Sequence, residues 1–125
     1  MSSGREVVVL SGTRTAIGDY GGGLKDIAPT ELAAHVIKEA AKRSKLDSKE
    51  IGACVLGNVI HTEAKDMYFS RVAALKAQMS NESTPLTVTR LWGSGMQAIV
   101  SASQMITLGD TDSAVAGGAE SMSRG

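Results

Sequence analysis

Residues 86–108 read LTVTRLWGSGMQAIVSASQMITL, and this stretch decides the fold. Its pattern predicts a strand over 86–91, a sharp turn over 92–95 and a helix from about 95 to 108. No charged residue lies between Leu91 and Gly109, which predicts a helix buried on most of its sides. Ser94, Gln97, Ser101, Ser103, Gln104 and Thr107 are too many polar groups for a helix that faces lipid, so a membrane span is a poor reading. Gly93, Ser94 and Gly95 let a neighbouring backbone or a ligand approach the helix start closely. The unpaired amides there favour an anion or a developing oxyanion. A site belongs at this turn, and Trp92 sits in it.

Working outward, residues 7–10 form a short apolar run between Gly4 and Ser11-Gly12, which predicts a central strand. Residues 12–23 read as a loop punctuated by Gly18 and Gly21-Gly22-Gly23. No lysine is placed there as a phosphate cradle requires, so its glycines serve the backbone. Pro29 and Thr30 open a helix that runs to about Lys45. Its apolar stripe is Leu32, Ala33, Val36, Ile37, Ala40 and Ala41; His35 lies on the opposite, solvated face with a Glu39–Arg43 pair.

Residues 53–60 predict a second strand, in which Cys54 is a small core residue with a raised, unreactive thiol. Residues 61–66 predict a loop. A helix over 67–79 follows, with Tyr68, Val72, Leu75 and Met79 on one face. Residues 113–116 predict a last strand that ends in Gly117-Gly118. Strands alternating with helices predict an α/β layer protein with a mostly parallel sheet.

Composition excludes several functions. Thirteen basic and thirteen acidic residues cancel, which leaves no electrostatic case for nucleic acid or an acidic membrane surface. Aromatic residues make up 3% of the chain, too few for base-stacking platforms. Four consecutive apolar residues near the N-terminus are too few for a secretion signal. The single cysteine excludes an internal disulfide, and a cytoplasmic location is expected. His61 is a loop histidine with no second ligand at metal-site spacing, so no metal is expected.

The segments RLWGSGMQAIVSASQMITLGD and AVAGGAESMSRG resemble the nucleophile region of the thiolases, the acetyl-CoA acetyltransferases and bacterial β-ketothiolases. The agreement extends through REVVVLSGTRTAIGDYGGGLKD, where Arg14 and Thr15 match a signature given a structural role, and through VLGNVIHTEAKDMYFSRVAAL. In that family a cysteine precedes GSG and accepts the acyl group as a thioester; here Trp92 holds that position. The resemblance implies coenzyme A thioesters as substrates, with no further cofactor.

It also implies that residues 1–125 are one N-terminal thiolase-like half-domain. The last strand, the loop domain and the C-terminal half, with the family's catalytic His, second Cys and Asn-containing loop, then lie outside it. His61 and Met67 become candidate interface residues, and a homo-oligomer or association with a complementary thiolase half is expected, with an open sheet edge and an apolar face when the chain stands alone. With an indole that has no nucleophilic lone pair, the chain is expected to be inactive.

Two other readings stand beside this one. Residues 93–98 also fit G-x-G-x-x-[GA], with Glu120 near the end of the next strand, as in a dinucleotide-binding domain using Gly93, Gly95 and Ala98. Against it, the motif sits on the third strand–helix unit and the spacing to Glu120 is long. In a non-enzymatic relative, Trp92 would close the pocket as a large apolar plug and the chain would serve as a binding or assembly partner.

Overall fold

A computed structural model describes residues 5–125; Gly4, the expected boundary of a first strand, lies outside the described residues. Helix α1 spans Pro29–Ser44. Proline presets φ at a position whose N–H would have no partner, and the chain leaves through Lys45 in the left-handed region at φ 64°. Pro29, Thr30, Ala33, Ala34, Ile37 and Ala41 are buried, whereas Leu32, Val36 and Ala40 lie at the margin of the stripe and His35 is exposed. The Glu39–Arg43 pair forms at 2.8 Å on the surface, where it contributes only a few tenths of a kcal/mol.

Strand β1 covers Ala53–Gly57, α2 Phe69–Lys76, β2 Thr84–Val88, α3 Ser94–Thr107 and β3 Ala114–Gly118. Short 3-10 turns occupy Ser48–Glu50, Ala64–Tyr68 and Met122–Arg124. The three strands are parallel in the order β2-β1-β3. Ala53 lies opposite Thr84 and Ala114, and Gly57 opposite Val88 and Gly118. Central β1 is buried along its whole length, as a parallel strand covered on both faces must be. Its alternation sorts the core: Cys54 and Leu56 join Ile37, Phe69 and Ala73 under α1 and α2, while Val55 packs with Ala98 and Ala102 of α3.

Several expectations are corrected. Among the described residues no strand forms over 7–10; Val7 to Leu10 are exposed. A strand needs a ladder, and this segment is held by side chains instead. Arg5 reaches the Ile106 carbonyl and Asp112, Ser11 donates to the Ala40 carbonyl at 2.7 Å, and Thr13 to that of Val36 at 2.9 Å. Strand β2 starts at Thr84 and includes Pro85, which an edge strand tolerates because its missing N–H can face away from the ladder. The strand predicted over 53–60 stops at Gly57, where the Val59 and Ile60 amides turn to meet Glu120.

Helix α2 buries Phe69, Ser70, Ala73 and Ala74, whereas Tyr68 and Leu75 of the predicted face are exposed. Small residues allow α2 to seat closely against both α1 and the sheet, and close packing outweighs the larger side chains of the other stripe. Helix α3 is not buried on most sides. Ser94, Ala98 and Ala102 face the sheet, and Met96, Ile99 and Val100 are exposed.

Candidate functional site

Parallel strands bring their carboxyl ends to one side of the sheet, where open α/β folds bind ligands. The turns after β1, β2 and β3 meet there around a cleft of about 630 Å³, lined by Val59, Ile60, Leu91, Trp92, Gly95 and Met122 among others. A second cleft of about 510 Å³ lies between the loop at 13–20 and residues 118–123; Arg14 and Thr15 line it.

Close packing sets the floor of the first cleft. A Cβ on Gly57 would stand 2.7 Å from the carbonyl carbon and Cβ of Ser94, and one on Gly118 would stand 3.4 Å from the Gly95 Cα. Glycine at the end of β1 is what lets the start of α3 sit directly on the sheet, whereas at Gly118 the approach to α3 is an ordinary van der Waals contact. Above that seat, residues 90–94 fold into a tight turn with Leu91 at φ 49°, in the left-handed region. The Gly93 amide donates to the Arg90 carbonyl at 2.9 Å, and the Ser94 amide to that of Leu91 at 3.1 Å. Of the three amides expected at an oxyanion, those of Gly93 and Ser94 therefore close the turn itself. Those of Gly95 and Met96 are first-turn donors of α3 that no backbone carbonyl receives among the described residues.

Trp92 is 98% exposed at the rim of this cleft. The expectation of a core plug is thereby corrected: no side of the indole is packed inside the chain. His61 and Met67 are exposed on the segment after β1 and do not line the cleft.

Glu120 was expected only as a dinucleotide-motif acid. Its carboxylate instead accepts from the Val59 amide at 2.9 Å, the Ile60 amide at 2.8 Å and Asn58 Nδ2 at 3.3 Å, which ties the turn after β3 to the turn after β1. Sequence carries no signal for that role, because the partners, two main-chain amides and the Asn58 side chain, lie about sixty residues away.

Cys54 is fully buried, and burial pushes its thiol up to about 12, with the Arg71 charge pulling weakly the other way. In the unfolded chain the thiol titrates near ~8.5. Between those values the folded state holds more protons, so stability is fully present below about pH 8.5 and is lost as pH rises, by about 1.4 kcal/mol per unit. Urea midpoints are expected to fall between pH 8 and pH 10 in the parent and to change less in Cys54→Ala; equal slopes would refute the assignment.

Among the described residues no three His, Cys, Asp or Glu side chains gather as a metal site, and no helix is long and apolar enough to cross a membrane.

A family model described as "Thiolase, N-terminal domain" matches residues 7–125. The chain is 59% identical over 120 residues to the beta-ketothiolase BktB of Cupriavidus necator, covering 96% of this chain and 30% of that protein. It is 35% identical over 120 residues to the human mitochondrial 3-ketoacyl-CoA thiolase. The crystal structure of that human enzyme matches with a TM-score of 0.90 at 34% identity, covering 93% of this chain and 29% of the other. Its crystal structure in complex with CoA matches with a TM-score of 0.87. The chain spans about 30% of the length of these curated relatives.

Proposed function

We propose, from the premise that this chain belongs to the thiolase family, that it is the N-terminal portion of a fold that exchanges acyl groups between coenzyme A thioesters. Such exchange needs a nucleophile that holds one acyl group, a base that makes a carbanion of the other, and donors for the thioester oxygen. The observation that carries this reading is the turn at 90–95: residue 92 stands at the rim of a cleft, beside the open amides of an α-helix. A cysteine there would have its thiolate favoured by the helix end.

Trp92 holds that position, and an indole N–H offers no lone pair for attack. This chain by itself therefore turns over no acyl-CoA. Incubated with acetoacetyl-CoA and coenzyme A, it is expected to give no thiolysis and no acyl adduct by mass spectrometry. Thiolysis above background by the purified chain would overturn the reading.

A homo-oligomer, or association with a complementary thiolase half, completes the proposal. The exposed Met96, Ile99 and Val100 of α3 and the unladdered residues 7–10 support it, as do exposed His61 and Met67 as interface residues. Apolar area of this kind drives association. In size-exclusion chromatography the isolated chain is expected to elute above its 12.9 kDa monomer mass or to precipitate. A monodisperse monomer with a cooperative melt would contradict this. The buried, unpaired Cys54 supports a reducing cytoplasmic location.

A second reading, a non-enzymatic assembly partner, is favoured by Trp92 itself, since a fully exposed indole is a strong interface anchor. The dinucleotide reading is disfavoured because Glu120, the acid reserved for ribose hydroxyls, is engaged by Val59, Ile60 and Asn58. Saturable binding of a nicotinamide dinucleotide in calorimetry would revive it.

A further inference from the structure

Leu91 adopts φ 49°, a region that an L side chain enters only where its surroundings over-determine it. It directly precedes residue 92, so its conformation sets the direction in which residue 92 leaves the chain. One side chain closes the turn around it. The Ser94 hydroxyl accepts from the Arg90 amide at 2.7 Å and donates to the Leu91 carbonyl at 2.7 Å. Ser94 is buried and seated close against Gly57, where an added Cβ would stand 2.7 Å from its Cβ and carbonyl carbon.

We infer that Ser94 is a positioning residue: its hydroxyl clasps the Arg90 amide and the Leu91 carbonyl, holds Leu91 left-handed within that span, and thereby sets the direction of the residue 92 side chain at the cleft rim. The consequence for acyl transfer rests on the reading given above, that residue 92 is the nucleophile position. The clasp itself does not. Alanine at 94 keeps the Cβ seat and removes only the oxygen, so any effect belongs to the hydroxyl. Glycine at 91 adopts the left-handed region without penalty, so it replaces what the clasp enforces.

The first test keeps Trp92 and sets the chain into the full β-ketothiolase frame. Ser94→Ala is expected to speed amide exchange at Arg90 about tenfold, because that amide loses its acceptor. It should also move the Leu91 HN–Hα coupling off its left-handed value, and adding Leu91→Gly should return residue 91 to positive φ. Unchanged exchange and coupling in Ser94→Ala would overturn the proposal.

The second test places the chain in the matching N-terminal segment of the Cupriavidus necator β-ketothiolase, with Trp92→Cys. Ser94→Ala is expected to lower kcat roughly ten- to a hundredfold at unchanged KM, as a misaimed nucleophile does. Leu91→Gly should recover most of that loss. A loss confined to KM, or one that Leu91→Gly does not recover, would sink the positioning role. If Trp92→Cys with Ser94 intact is itself inactive, the acyl-transfer reading fails, and exchange at Arg90 still decides the clasp.

Discussion

Replacing Trp92 by cysteine, with the chain set into the full β-ketothiolase frame, is expected to raise thiolysis of acetoacetyl-CoA by roughly 10⁴-fold or more over the Trp92 parent. The size of the effect follows from what the side chain lacks. Residual rate without a covalent nucleophile comes only from binding and oxyanion donors, and an indole supplies no attacking pair. The substitution should also be structurally cheap. A large-to-small change inside a core costs about 3–5 kcal/mol through the cavity it leaves. Trp92 is 98% exposed in this chain, so no such cavity opens. Burst kinetics and a covalent acetyl adduct on residue 92 would identify the restored step. A well-folded Trp92→Cys protein that forms no acyl-enzyme would remove residue 92 from the mechanism and leave the family's chemistry without a seat in this segment.

The second large effect concerns stability and lies under the same turn. Gly57→Val is expected to destabilise the chain by about 3 kcal/mol, read as a lower urea midpoint at unchanged m-value. A Cβ at 57 meets the carbonyl carbon and Cβ of Ser94 at 2.7 Å and the carbonyl oxygen at 2.8 Å. Two of those are backbone atoms and the third is a Cβ fixed to the backbone at the root of α3, so relief requires the helix to lift from the sheet. The contrast with Gly52 decides that the partner matters more than the distance. There a Cβ would come within 2.2 Å, but of the Thr111 hydroxyl, a side-chain end that can rotate away.

Gly95→Ala is the control on the other side of the contact. Nothing lies within 4 Å of its added Cβ, and alanine favours a helix by up to about 1 kcal/mol, so stability should hold or rise. Equal losses in Gly57→Val and Gly95→Ala would show that the seating of α3 on β1 is not what Gly57 provides.

The elements legible in the sequence were those whose signal is local. Pro29 and the apolar stripe placed α1 within a residue of its ends, and the apolar run from Ala53 marked a strand, which the structure ends at Gly57. The uncharged stretch after Trp92 placed α3, and residues of the Gly-Ser-Gly turn line a cleft. The errors share one cause, which is that a partner, not a propensity, decides. Residues 7–10 have the composition of a strand and no ladder to join among the described residues. Tyr68 and Leu75 gave α2 a plausible apolar face, yet the sheet and α1 selected Phe69, Ala73 and Ala74. Lack of charge in α3 records what it is suited to meet, and Met96, Ile99 and Val100 remain uncovered in this chain.

By itself, then, the sequence determined the layer type, the order of helices and strands from α1 onward, the family, and the presence of an indole where a thiol would be expected. Those rest on periodicity, on caps and on residue identity, which are properties of neighbouring positions. The tertiary structure alone decided that Trp92 faces solvent instead of plugging the core, that Glu120 fastens the turn after β1, and that the Ser94 hydroxyl embraces a left-handed Leu91. Each depends on where parallel strands carry residues far apart in the chain, or on a backbone angle that no residue type at that position announces.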